Sequence, residues 1–376
     1  MDFDLNEEQR MFQRAVRRFA ETDLKPLASE IDESAAFPVS LIPKMASIGL
    51  LGMPVPEAYG GAEVDAVSMA IAIEEIGRVC GSTGLSVAAH NGLGCFPIVR
   101  WGTSAQKERW LPDLVEGATL GTLALTEPGA GSDLRGVQTR AVRDNDEWVI
   151  NGTKAWITNP SLAKIMTVLV NTAAGSSMIL VETDRPGVTV QPKESKMGVR
   201  GSPTHQISFE DARVPLDNLL GGEGKGLSQT LETLDGGRIS IGALSVGIAQ
   251  GALEEAVSYA KERVAYGKPI AELQAIQWML ADGATEVEAA RWLVYRAAWL
   301  KEKGKRFTRE AAIGKLYASE MGERVTRNAI QILGSYGYSR EYPVERMYRD
   351  ARLMTIGEGT SEVQRLVIAR QLLKTV

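Results

Sequence analysis

The spacing of apolar residues changes twice along the chain and divides it into three regions. Up to about residue 118, and again from about 221 to 376, apolar side chains recur every three or four residues, which is typical of helices. Between about 119 and 220 the spacing falls to two, in short runs separated by turn residues such as Asn151-Gly152, which predicts strands. Strands and helices do not alternate, which argues against a doubly wound nucleotide-binding fold.

These regions predict an α+β chain of three domains. They are a helical N-terminal domain (1–118), a middle β-barrel domain (119–220) and a C-terminal four-helix bundle (221–376). The predicted strands lie at 121–126, 138–143, 147–151, 154–158, 165–171, 177–182, 188–192 and 206–210, and the C-terminal helices at 227–264, 275–303, 308–333, 344–354 and 361–374.

Local signals mark the N-terminal helices. Asn6 and Gln9 predict a capping box at the start of the first helix. Helices are also predicted at 67–79 and 85–101, with the glycines of 81–84 as the break between them.

Charge, cysteine and histidine content narrow the function class. The chain has 42 basic and 47 acidic residues, so it lacks the basic surplus of a nucleic-acid binder. No apolar run reaches the ~20 residues that span a bilayer. Cys80 and Cys95 are too few for a disulfide framework, and with an acidic N-terminus they predict a cytoplasmic protein with reduced thiols. His90 and His205 fall in no zinc or Ser-His-Asp motif, so acid–base chemistry is left to carboxylates and no metal site is predicted.

Segment 125–133 is rich in glycine and hydroxyl groups and leaves a predicted strand. Gly129 and Gly131 would let backbone amides approach a ligand, and Thr126 and Ser132 would supply hydroxyls. A tight turn that satisfies its own backbone is the alternative.

Two further segments could contact a flat ligand. Trp156, before Ile157 and Thr158 at a strand end, could cover an aromatic ring, although a core Trp at a domain seam is the alternative. Glu358 stands in a loop between Gly357 and Gly359, where glycine lets a carboxylate lie against a ligand. An acidic residue favoured by the following helix dipole is the alternative there, and Ser361 is predicted to cap that helix.

Together, these three segments resemble the acyl-CoA dehydrogenase flavoprotein family over nearly the whole chain. Segments 125–133 and 358–365 resemble its two signatures. The resemblance implies FAD as cofactor, fatty-acid β-oxidation, and removal of an acyl-CoA α-proton with hydride transfer to flavin N5, which gives a trans-2-enoyl-CoA. It also implies electron-transferring flavoprotein as acceptor and a homo-oligomer, either a tetramer or a dimer.

The resemblance assigns roles residue by residue. Glu358 is the base, because the second position used in some members is Gly237 here, and the Glu358 N–H would polarise the thioester carbonyl. The expected FAD contacts are Thr126, Ser132, Trp156, Ile157, Thr158, Arg263, Tyr266, Gln274, Thr360 and Glu362, with Gln331, Gly334 and Ser335 reaching the cofactor of a neighbouring subunit. The expected substrate contacts are Ser132, Asp235, Arg238, Gly359 and Arg370, where a solvated helix face is the alternative for both arginines.

The chain departs from the family pattern at several positions. Gly357 replaces the usual Tyr before the base, which predicts a wider acyl slot for branched or cyclic groups. Segment 86–97, at the far end of the acyl pocket, contains no Arg or Lys, which disfavours glutaryl-CoA. His90 is predicted to be a structural core residue, and His205 stands where many members have Arg, without an explanation. A flavin oxidase or monooxygenase of the same fold, and a non-catalytic FAD-binding protein, remain as alternatives.

Overall fold

The computed structural model describes residues 4–374, and its N-terminal part is helical. The helices are α1 (Glu7–Phe19), α2 (Ala28–Ser34), α3 (Ile42–Ser47), α4 (Ala66–Gly77), α5 (Gly81–Ala89), α6 (Phe96–Trp101) and α7 (Ser104–Val115). The predicted capping box is confirmed, because the Gln9 N–H donates to Asn6 Oδ1 at 2.8 Å and the Asn6 N–H donates to Gln9 Oε1 at 3.0 Å.

The predicted break at 81–84 is wrong, because α5 begins at Gly81 itself. A Cβ on Gly81 would lie 2.7 Å from an Asp350 carboxylate oxygen, and one on Gly84 would lie 2.6 Å from a Leu244 methyl carbon. These glycines therefore allow helices to pack closely rather than end a helix. A π-helical segment, His90–Cys95, then joins α5 to α6.

The middle region forms one sheet. Its strands are β1 (Thr122–Ala124), β2 (Arg140–Asp144), β3 (Glu147–Thr158), β4 (Ile165–Thr172), β5 (Gly175–Glu182), β6 (Val188–Lys193) and β7 (Thr204–Pro215). They pair in the order β5-β4-β2-β3-β7-β6, and β1 runs parallel to β4. The predicted strands 147–151 and 154–158 are one strand, because a register shift between Ile150 and Gly152 bends it without ending it.

The C-terminal region is helical. It contains α8 (Gly226–Glu262), α9 (Gln274–Glu302), α10 (Thr308–Leu333), α11 (Val344–Met354) and α12 (Ser361–Leu373), with a hairpin of β8 (Val264–Ala265) and β9 (Lys268–Pro269) after α8. A Cβ on Gly247 would lie 2.2 Å from the Glu74 carbonyl oxygen, so α4 lies directly on α8. One apolar core therefore joins the N-terminal and C-terminal helices. Among residues 4–374, no helix is both long enough and apolar enough to cross a bilayer.

Candidate active site

The loop at 355–360, between α11 and α12, holds Glu358 in an uncommon backbone conformation. Glu358 has φ 52° and Gly359 has φ 93°, both in the left-handed region. A non-glycine residue there is strained, and such strain is concentrated at functional sites. Thr360, not Ser361 as predicted, is the N-cap of α12, because its Oγ1 accepts the Val363 N–H at 3.3 Å.

The Glu358 carboxylate packs against a glycine of α8. A Cβ built on Gly237 would lie 1.9 Å from Glu358 Oε2, so the carboxylate occupies the space that any side chain at 237 would fill. Oε2 is buried and has no hydrogen-bond partner within the chain. Buried polar atoms normally have a hydrogen-bond partner, so an unpaired oxygen here is consistent with a group that contacts a bound ligand.

Burial raises the pKa of Glu358 to about 7. The positive charges of Lys315 and Arg238 oppose this rise, because they favour the ionised carboxylate. The site therefore holds a carboxyl group of raised basicity near neutral pH, which is what a general base needs.

Two predicted substrate contacts, Asp235 and Arg238, lie on α8 on either side of Gly237, and the charge of Arg238 acts on the carboxylate. Arg238 Nη1 donates to Asp235 Oδ1 at 2.5 Å, and Asp235 Oδ2 accepts from Thr308 Oγ1 at 2.6 Å. Arg238 is only 4% exposed, so the solvated helix face is wrong for this residue. Arg370 is exposed on α12, so that alternative stays open for it.

The glycine-rich segment 125–133 is held by the hydrogen bonds of Glu127 on one side and is open on the other. Glu127 accepts the Thr139 N–H at 2.9 Å and the ammonium of the fully buried Lys154 at 2.8 Å. A Cβ on Gly129 or on Gly131 would meet nothing within 4 Å. The packing of the chain therefore does not require glycine at these two positions, and the space is consistent with close approach of a ligand. Ser132 is exposed on this open side.

Trp156 is 60% exposed, with φ 59°, so it is not a core Trp. It lies at a register shift between Lys154 and Ile157, which turns its ring outward. The Ala155 N–H donates to the Thr126 carbonyl oxygen at 2.8 Å and brings Trp156 next to the glycine-rich segment. Ile157 is buried in the sheet core and Thr158 is half-buried.

Thr360 and Glu362 line a surface cleft of about 460 Å³ at the start of α12. Arg324 and Arg327 from α10 and Arg352 from α11 form another part of its wall. Glu320 and Glu323 of α10 also line it, so the cleft brings side chains of both charges to two of the predicted FAD contacts.

The remaining predicted FAD contacts lie far from Glu358 along the helices. From Gly237 to its last residue α8 rises about 38 Å, and Arg263, Tyr266 and Gln274 follow that end. Gln331, Gly334 and Ser335 are exposed at the C-terminal end of α10, about 27 Å along that helix from Lys315. Tyr266 is 93% exposed. The chain thus carries two separate groups of predicted cofactor residues.

A lysine from α9 lies beside the predicted acyl-pocket segment. Lys301 Nζ is 5.1 Å from the centre of the Phe96 ring. A Cβ on Gly236 would lie 3.2 Å from the same Lys301 Nζ. Burial lowers its pKa. Lys301 therefore brings to Phe96 a cation that segment 86–97, on which the expectation against glutaryl-CoA rests, does not itself contain.

Both histidines make backbone contacts. His90 is fully buried, with Nε2 2.8 Å from the Leu51 carbonyl oxygen and Nδ1 accepting the Gly121 N–H at 2.8 Å, and burial lowers its pKa to about 4. His90 is therefore a structural residue, as predicted. His205 Nδ1 lies 2.7 Å from the Gln191 carbonyl oxygen in the sheet.

Two residues that bind the Glu358 loop, Lys315 and Gln364, are not predicted from the sequence. Lys315 Nζ donates to the Gly359 carbonyl oxygen at 2.7 Å, and Gln364 Nε2 donates to the same oxygen at 2.8 Å. A lysine at helical spacing from Ala311, Ala318 and Gly322 on the apolar face of α10 was the available signal.

Three family models together match most of the chain. They are the N-terminal, middle and C-terminal domains of acyl-CoA dehydrogenase, at residues 6–118, 122–212 and 224–373. A probable acyl-CoA dehydrogenase of Bacillus subtilis is 53% identical over all of both chains.

Two solved structures have the same fold. Butyryl-CoA dehydrogenase from Megasphaera elsdenii is 43% identical, covers 99% of this chain and 100% of its own, and superposes with a TM-score of 0.97. A chain from a structure described as the electron transferring flavoprotein of Acidaminococcus fermentans is 43% identical over 100% of both chains, with a TM-score of 0.98. The protein therefore belongs to the acyl-CoA dehydrogenase family, whose members are FAD-dependent oxidoreductases of acyl-CoA thioesters.

Proposed function

We propose that Glu358 removes the α-proton of a short or branched acyl-CoA, and that the β-hydrogen leaves as hydride to FAD. The observation that carries this proposal is the placement of Glu358: a strained loop holds its unpartnered carboxylate oxygen against Gly237. Loss of the proton and the hydride converts the thioester to a trans-2-enoyl-CoA.

The side chains around Glu358 divide the work. Burial gives the carboxylate the basicity that a thioester α-C–H requires, and Lys315 and Arg238 keep it ionised. The backbone N–H of Glu358 donates to the thioester carbonyl and stabilises the charge that develops there. Asp235 and Arg238 orient the CoA moiety, and Arg370 and Gly359 complete the substrate contacts.

Segment 125–133 and Trp156 have the features that an FAD site requires. The turn that contains Thr126, Gly129 and Gly131 is open, because no other part of the chain within residues 4–374 packs against its two glycines. The exposed Trp156 lies next to that turn. Bound FAD supplies the hydride acceptor. Ser132 and Thr158 would hold the cofactor by hydrogen bonds, and Thr360 and Glu362 would hold it from the cleft before α12.

A homo-oligomer, with a tetramer as the preferred form and a dimer as the alternative, completes each site. The distance of about 38 Å from Gly237 to the end of α8 is longer than one FAD molecule spans. The predicted FAD contacts that follow α8, and those at the end of α10, therefore meet the cofactor of another copy. The exposed side chains of Tyr266, Trp278 and Tyr338 would be covered in that assembly.

The proposed electron acceptor is electron-transferring flavoprotein. The similarity to a chain from the Acidaminococcus fermentans structure supports this acceptor. The proposed compartment is the cytoplasm, where reducing conditions fit the free, buried thiols of Cys80 and Cys95.

The test of this function is an anaerobic titration of the purified flavoprotein with butyryl-CoA. Bleaching of the flavin absorbance, with enoyl-CoA as product and turnover with ferrocenium, is expected. Turnover that consumes oxygen at a comparable rate would instead show an oxidase, and a flavin that no acyl-CoA bleaches would show a non-catalytic protein.

The Gly357→Tyr variant is expected to lose branched and cyclic substrates selectively. Gly357 has no positive φ, and a Cβ there would make its closest contact at 3.6 Å, so the fold accepts a side chain at this position. Kinetics on butyryl-, isobutyryl-, octanoyl- and cyclohexanecarbonyl-CoA should show about tenfold or greater loss of kcat/KM for isobutyryl- and cyclohexanecarbonyl-CoA and little change for butyryl-CoA. A wild-type enzyme restricted to unbranched chains would contradict the wide slot.

The kcat/KM of the wild-type enzyme is expected to rise with pH up to about 7 and then level off. The raised pKa of about 7 means that Glu358 is protonated, and unable to accept a proton, at lower pH. Each pH unit further below should reduce kcat/KM about tenfold, since this parameter reports the free enzyme. An acid limb centred near pH 4.5 would show that the base is an exposed carboxylate instead.

A further inference from the structure

Side chains from two helices bond the carbonyl group of Gly359, the residue after the proposed base Glu358. Lys315 from α10 is fully buried, and its ammonium donates to the Gly359 carbonyl oxygen at 2.7 Å. Gln364 from α12, also fully buried, donates to the same oxygen at 2.8 Å and to the Glu358 carbonyl oxygen at 3.3 Å. These bonds fix the two residues whose backbones lie in the left-handed region.

The ammonium of Lys315 binds a carbonyl rather than a carboxylate, although acidic groups lie around it. Glu358 and Glu362, both from the segment after α11, and Glu320 on its own helix all act on its charge. Glu320 bonds Arg365 at 2.7 Å, and Glu362 is exposed to solvent. Of these three carboxylates, that of Glu358 packs against Gly237 inside the site.

The other cation near Glu358 already has a carboxylate of its own. Arg238 from α8 bonds Asp235 at 2.5 Å, which offsets part of its charge. A buried ammonium is costly, and an apolar side chain of the same length would pack in its place without that cost. Lys315 therefore bonds the carbonyl of Gly359, and its charge acts on the preceding residue, Glu358.

We infer, on the basis of the proposed role of Glu358, that Lys315 is a positioning residue for the reaction. Its hydrogen bond to Gly359 fixes the strained loop so that the Glu358 carboxylate stays against Gly237. Its positive charge favours the ionised form of that carboxylate.

The test compares pH profiles of the holoenzyme and its variants. Lys315→Met removes both charge and donor, and is expected to lower kcat by about tenfold to a hundredfold, with KM for butyryl-CoA near the wild-type value. The acid limb of its kcat/KM profile should move up by about one pH unit or more, because removing a nearby positive charge raises the pKa of a carboxyl group. Where Lys315→Met does not fold, Lys315→Gln still removes the charge while keeping a donor, so its acid limb should also move up.

Two further variants separate the charge from the hydrogen bond. Gln364→Leu removes the second donor to Gly359 but no charge, so kcat should fall while the acid limb stays in place. Ser319→Ala, one turn further along α10, removes a buried hydroxyl that bonds only its own helix at 3.2 Å and should change neither.

The outcomes distinguish this inference from the proposed function. A wild-type enzyme that no acyl-CoA reduces would remove the function itself. An active wild-type enzyme, together with a folded, yellow Lys315→Met or Lys315→Gln variant whose acid limb is unmoved, would reduce Lys315 to a packing residue and overturn the inference.

Discussion

Replacing Glu358 with Gln is expected to lower kcat on butyryl-CoA by about 10²–10⁴-fold while the protein keeps its FAD and its yellow colour. The amide has nearly the same shape as the carboxyl group, so the loop and its packing on Gly237 should persist. An amide does not accept the α-proton, and the nearby carboxylate of α8, Asp235, is already paired with Arg238. The measurements are turnover with ferrocenium and the rate of flavin bleaching under anaerobic conditions.

The matched control is Glu30→Gln, the same change at an exposed position of α2. It should leave kcat, KM and the flavin spectrum at wild-type values. A Glu358→Gln enzyme that bleaches at the wild-type rate would transfer the role of base to another group and remove the centre of the proposed mechanism.

Most of the fold could be predicted because the long elements bury one face along their whole length. The segment predicted at 308–333 is α10, Thr308–Leu333, and the segment at 344–354 is α11, Val344–Met354. Prediction failed where a distant part of the chain decides the local structure. Gly81 begins α5 instead of ending a helix, and its lack of a side chain makes room for Asp350, far along the sequence.

The same distinction applies to the site. The glycines on either side of Glu358, and the hydroxyls of segment 125–133, are visible as local motifs, and the structure finds an exposed Trp156 beside an open turn. Lys315 and Lys301 carry no local motif. Each is one lysine within a long helix, and only the packing of α8, α9 and α10 brings it to the Glu358 loop or to Phe96.

Gly237→Ala is expected to lower kcat by about a hundredfold while leaving the fold as stable as before or slightly more stable. The new methyl group would stand 1.9 Å from the present position of Glu358 Oε2, so the carboxylate must move, and a displacement of ~1 Å at a reacting group can cost about 10²-fold in rate. The displaced atom is the end of a flexible side chain, and Ala favours a helix interior over Gly by roughly 0.5–1 kcal/mol. Thermal unfolding and turnover should therefore change in opposite directions.

Gly236→Ala provides the control on the same turn of α8. Its methyl group would meet only the ammonium of Lys301, at 3.2 Å, and would not reach the carboxylate. It brings the same gain in helix propensity without the clash, so kcat on butyryl-CoA should stay close to wild type. If both variants turned over equally well, the contact between Gly237 and Glu358 would be incidental, and the carboxylate would react from another position than the one it occupies here.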